Sequence, residues 1–208
     1  MKEFSIPMAL VDYIPVIFFF IGSIILLKDL YNKMNKAAYA IFSTGVINVA
    51  CAGTLKATYK LLYAGGICDF EALNSLFFPV QSIGFLLAGI GIISMLASKN
   101  NGLCALTTAP AKWSGTLLFV SLMIIGLGMM DIGLCVISKK AKRCGAIVIF
   151  VISYICCLCM GYLSSKDFDK EYMNWIAEGV NVIGQGLFML GAIILHKADL
   201  KNMELNKS

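Results

Sequence analysis

Apolar positions along this chain gather into six long runs, at about residues 8–29, 37–60, 72–98, 114–137, 145–165 and 172–196, separated by short polar connectors. A helix rises about 1.5 Å per residue and a bilayer core is about 30 Å thick, so each run is long enough to cross as a helix. Strands of a membrane barrel would alternate apolar and polar side chains over about ten residues. Ile14 to Leu27 and Ile147 to Cys159 are instead almost continuously apolar. Asp12 interrupts the first run, and no small-residue cleavage site precedes Lys28, so that run reads as a first span and not as a cleaved signal peptide. The pattern predicts an all-α polytopic membrane protein with six transmembrane helices. It divides into a three-helix unit over 1–98, a connecting loop over 99–113, a second three-helix unit over 114–196 and a polar tail over 197–208.

Composition agrees. Hydrophobic residues make up 59% of the chain and charged residues 14%, with a mean hydropathy of +0.83. Ordinary globular chains carry about 25% charged residues, so a soluble domain is excluded, and so is a disordered one. If the six spans alternate in direction, one face holds Lys28, Lys33, Lys36, Lys99, Lys112, Lys166 and Lys170. The other holds Lys2, Lys56, Lys60, Lys139, Lys140, Lys142, Arg143, Lys197, Lys201 and Lys207. That small bias leans toward a cell-membrane protein with both termini in the cytoplasm. The net charge of +5 is accounted for by flanking residues that meet lipid headgroups, so the partner it implies is the bilayer and not a nucleic acid.

The chain resembles itself at an offset of 100 residues. Asp69, Glu71 and Asn74 fall on Asp169, Glu171 and Asn174, and Val80, Ile83, Gly84, Leu87, Gly91 and Ile93 fall on Val180, Ile183, Gly184, Leu187, Gly191 and Ile193. Gln81 falls on the similar Asn181. A unit of three alternating spans is odd, so the second unit would enter the membrane from the opposite side. The expectation is a 3+3 inverted-topology repeat, an arrangement found in transporters and channels with a site near the midplane.

Ionisable side chains in hydrocarbon cost roughly 2.5–3.5 kcal/mol on insertion scales, so they face the interior or a watered cavity. In the sixth span Asn174, Glu178, Asn181 and Gln185 are spaced 4, 3 and 4, which places them on one helical face. In the third span Asn74 and Gln81 lie seven apart with Pro79 between them. Glu178, six residues into its span, needs a partner or a proton, which suits a proton-coupled or cation-binding role. Asp131 sits deep among Gly126, Gly128 and Gly133, and Asp12 lies near the start of its span, three residues before Pro15. Lys56, with Lys60 one turn on, reads as a side chain that snorkels to the interface. The glycines of the spans read mainly as packing positions.

Cys51, Cys135, Cys156, Cys157 and Cys159 fall within spans, where cysteine behaves as a small hydrophobe. His196 is the only histidine, which argues against bis-histidine haem and multi-histidine zinc sites. The sequence contains no Walker A, Gly-x-Ser-x-Gly or His-Glu-x-x-His motif, so no cofactor, metal or catalytic residue is assigned, and an enzyme is the less favoured reading. The expectation is a small transporter or channel for a small polar solute or ion. Its site is assigned to Glu178, Asn181, Gln185, Asn174, Asn74, Gln81, Asp131 and Asp12. The alternatives are an accessory or substrate-binding subunit of a larger membrane complex and, less favoured, an intramembrane enzyme. Assembly with a second copy or a partner subunit is left open.

Overall fold

The computed structural model describes residues 5–97, 116–163 and 171–203, and the expected connecting loop at 99–113 lies outside them. The described residues form α1 (Ile6–Val11), α2 (Tyr13–Leu30), α3 (Lys36–Ala64), α4 (Glu71–Ala97), α5 (Thr116–Lys140), α6 (Cys144–Leu163) and α7 (Glu171–Lys197), with no strand. α1 and α2 form one apolar rod of 25 residues. It breaks at Asp12 because Pro15 has no amide hydrogen to donate to the carbonyl of Val11, where α1 ends. With this rod counted once, five helices are long and apolar enough to cross a membrane, and Cys144–Met160 is a shorter apolar segment within α6.

Local chemistry sets the turns. Asn35 caps α3 by accepting from the amide of Ala38 at 2.7 Å. α3 ends where Gly66 takes φ 67°, which lets the amide of Ile67 reach back to the carbonyl of Leu62 at 3.1 Å. The tail after α7 is less solvated than its mixed charge suggests. Leu200 is fully buried, and the ammonium of Lys33 donates to the carbonyl of Met203.

Each rod packs on its sequence neighbours, and α7 closes against α2, so the six spans form a ring. The direction of each span follows from which residues touch. Gly45 lies against Gly84 and Ala88, while Gly91 lies against Phe42, so α3 and α4 are antiparallel. Gly126 lies against Phe85 and Leu86, while Gly133 lies against Ile92, so α4 and α5 are parallel. α7 and α2 are also parallel, since Gly186 meets Phe18, Gly22 meets Phe188 and Met189, and Asp29 meets His196. Hence α2, α4, α5 and α7 run away from the α1 end of the bundle, and α3 and α6 return toward it.

This bears on two expectations. The two three-helix units enter from the same end, so an inverted repeat is not shown. The likeness at offset 100 carries through to packing. Gly91 sits on Phe42 and Gly191 on Phe150; Gly84 sits on Val49 and Gly45, and Gly184 on Cys156 and Ser153. The alternation that predicted inversion fails because Ala97 and Thr116 lie at opposite ends of the bundle. For the same reason the described chain begins and finishes at opposite ends, which lends no support to the expectation of both termini on one side.

The core fills the half of the bundle farther from α1. Leu26, Leu30, Phe42, Ile92, Leu134, Ile137, Phe150 and Leu195 are all buried there. Close backbone approach makes this possible: a methyl group on Gly45 would stand 2.3 Å from the amide nitrogen of Ala88, and one on Gly126 would stand 2.4 Å from that of Leu86. Gly179 is an exception among the span glycines, with open space where its side chain would be.

Candidate functional site

In the other half, the ring surrounds an open cavity of about 320 Å³ to which all six spans contribute. Its walls come from the first halves of α2, α4, α5 and α7 and the second halves of α3 and α6, so it lies toward the α1 end and reaches the middle of the bundle at Leu127 and Gln185. α4 and α7 line it at four equivalent pairs of positions: Phe77 and Ala177, Phe78 and Glu178, Gln81 and Asn181, Phe85 and Gln185. One wall is therefore mostly aromatic and the facing wall mostly polar.

The break at Asp12 turns that carboxylate inward, where Lys60 at the end of α3 meets it with Nζ 2.5 Å from Oδ2. The same ammonium stands 3.9 Å from Oε2 of Glu178, so the two acids share one lysine. Glu178 is 4% exposed and Asp12 7%. Oε1 of Glu178 and Oε1 of Gln81 are buried without a hydrogen-bond partner. Lys56, one turn before Lys60, places its ammonium 4.2 Å from the centre of the Phe77 ring, a cation–π contact. Tyr13 and Thr58 join hydroxyls at 2.9 Å between α2 and α3, and Gln185 donates to Sγ of Cys157 at 3.6 Å. Two carboxyls, two ammoniums and four amides thus face one space. Such a set can bind a polar solute by charge and hydrogen bonds without a bound ion.

Of the expected site residues, Glu178, Asn181, Gln185, Asn174, Gln81 and Asp12 line this cavity. Asn74 does not. It shares a face with Gln81 but belongs to the first turn of α4, where it is exposed at the bundle rim. Asp131 is also elsewhere: it lines a separate groove of about 410 Å³ between α5 and α6, with Ile132, Val136, Ile147, Val151 and Tyr154. Both of its carboxylate oxygens are buried without a hydrogen-bond partner.

The expectation of snorkelling missed Lys56 and Lys60 as cavity residues. Their signal was a pair of lysines four apart inside an apolar run, on the same helical face. A buried acid also escaped notice: Nδ1 of His196 lies 3.0 Å from both carboxylate oxygens of Asp29, 2% exposed, and the contact ties α2 to α7 at the far end.

Ring and cavity define a multi-pass helical membrane protein. No family model matches the chain, and no solved structure matches it. Among curated proteins it is similar to a DNA translocase FtsK of Clostridium tetani (strain Massachusetts / E88), with 27% identity over 134 residues. That stretch takes in 58% of this chain and 16% of the relative, so the chain spans under a fifth of the relative's length.

Proposed function

We propose that the protein carries a small polar solute into or across the membrane, with the cavity as its binding site. The observation that carries this reading is the asymmetry of the ring. Polar and charged side chains from separate spans converge on a space at one end, while apolar packing seals the other. A structure that only held helices together would close its polar groups on one another, as interhelical hydrogen bonds do; here Glu178 and Gln81 keep buried acceptor atoms unused. The similarity to a DNA translocase does not direct this reading, since it reaches 16% of that protein.

Helix direction also orients the site. Lys28, Lys33 and Lys36 around the α2–α3 turn, Lys139, Lys140, Lys142 and Arg143 around the α5–α6 turn, and Lys197 and Lys201 after α7 all gather at the sealed end. At the α1 end the described basic residues, Lys56 and Lys60, belong to the cavity. By the positive-inside rule the sealed end is cytoplasmic and the cavity faces outward in the cell membrane.

Glu178 serves as the responsive group, because any solute that donates to it changes how the acids share Lys60. In proteoliposomes assayed for uptake of labelled amino acids, amides and sugars, Glu178→Gln and Asn181→Leu should each reduce the flux of the transported solute at least tenfold. Unchanged flux in both variants would overturn the site. A partner-subunit reading has one observation in its favour, the unpartnered Asp131 in its outward-facing groove, and is tested separately below.

A further inference from the structure

Taking the cavity as a solute site, which is the reading just proposed, we infer that its substrate class is the small zwitterion: a molecule with no net charge that carries an ammonium and a carboxylate apart from each other. The formal charges of the cavity cancel, with Asp12 and Glu178 against Lys56 and Lys60. Apolar helices surround them, so a solute with a net charge brings in an ion that no group is left to neutralise. A solute without charges leaves the separated charges of the wall unused.

The geometry also says which end goes where. Asp12 holds Lys60 at 2.5 Å, which makes that pair internal. What is left for a ligand is a pair of acceptors and a cation. The acceptors are the unpartnered Oε1 of Glu178 on α7, in a residue 4% exposed, and the unpartnered Oε1 of Gln81 on the facing α4 wall. The cation is the ammonium of Lys56, which lies 4.2 Å from the centre of the Phe77 ring. A solute ammonium answers the two acceptors and its carboxylate answers Lys56. Its carbon chain lies against Phe77 and Phe85. Glu178 and Lys56 stand on different helices, so a zwitterion bridges α7 and α3, as neither a lone cation nor a lone anion does.

The test uses the full chain in lipid nanodiscs and calorimetric titration with four probes of equal carbon number: 4-aminobutyrate, butyrate, butylammonium and butyramide. The zwitterion should bind at least tenfold more tightly than each of the other three. Glu178→Gln should abolish its advantage over butyrate, and Lys56→Met its advantage over butylammonium, with both variants folded by circular dichroism. Equal or tighter binding of butyrate, butylammonium or butyramide would overturn the substrate class while it left the solute-site reading in place. Binding of none of the four, with no uptake of any labelled solute in proteoliposomes, would overturn both. An advantage of the zwitterion that persists in both variants would place its site elsewhere and overturn the assignment.

Discussion

The two ends of the bundle are built from the same repeated scaffold and have diverged in opposite ways. In the sealed half the repeat is kept: glycine on phenylalanine recurs as Gly91 on Phe42 and Gly191 on Phe150. In the cavity half it is broken position by position, with Phe78 opposite Glu178 and Phe85 opposite Gln185, while Gln81 and Asn181 alone stay alike. Symmetric packing needs matching shapes, and interior density makes a misfit costly in either unit. A binding site has the reverse requirement, because an asymmetric solute needs an aromatic wall and a polar wall that differ. The difference teaches that the likeness at offset 100 is kept in the packed half and lost where the proposed site lies.

The comparison breaks most sharply if the ends are assigned to the wrong sides of the membrane. Two native cysteines mark them: Cys68 is exposed in the α3–α4 turn at the cavity end, and Cys144 is exposed at the start of α6 at the basic end. In single-cysteine variants treated with a membrane-impermeant maleimide, Cys68 should label in intact cells and Cys144 only after permeabilisation. The reverse pattern would turn the cavity toward the cytoplasm.

A smaller effect sharpens the symmetry of the sealed half. A methyl group on Gly91 would stand 2.6 to 2.8 Å from Cβ, Cα and N of Phe42, so backbone must move. On Gly191 it would stand 2.6 Å from Cζ of Phe150, the far end of a side chain that can turn. Overpacking of this kind costs about 1–3 kcal/mol. Gly91→Ala should therefore lower the melting temperature clearly, and Gly191→Ala by less. Equal losses would mean that Phe150 is held as rigidly as the α3 backbone.

The spans were legible because hydrocarbon thickness imposes a run length that no other constraint mimics, and α3 outran its expected end by the four residues Leu61, Leu62, Tyr63 and Ala64. The α7 stripe was legible because spacings of 4, 3 and 4 determine a face whatever that face meets. Direction was not. The sequence of a span reads the same whichever end it enters from, so alternation sets α5, α6 and α7 each in the wrong direction, and those three reversals carry the inverted repeat and the charge balance with them. Regrouped by the observed directions, the described basic residues outside the cavity fall at one end. Depth was also hidden: Asn74 and Gln81 share a face, but two turns separate the rim from the cavity. Lys56 and Lys60 were misread because a lysine at a span end can turn either way, and only the neighbouring Asp12 and Glu178, remote in sequence, draw these inward.

The smallest predicted effect separates two buried carboxyls that look alike in the sequence. Glu178 has Lys60 within 3.9 Å and opens on the cavity, whereas Asp131 faces an apolar groove with neither oxygen hydrogen-bonded. A buried polar group left unsatisfied costs about 1–3 kcal/mol, and an apolar replacement of similar shape removes that cost. If no other protein covers the groove, Asp131→Leu should raise the melting temperature of the purified protein by roughly 2–4 °C per kcal/mol recovered for a chain of this size, and leave flux intact. Glu178→Leu should do the opposite, ending flux and bringing no gain in stability, because it deprives Lys60 of a neighbour. Should Asp131→Leu instead abolish activity in cells while the purified variant is more stable and still transports, the carboxylate is held for a partner that the isolated chain lacks, and the groove, not the cavity, is where an accessory subunit docks.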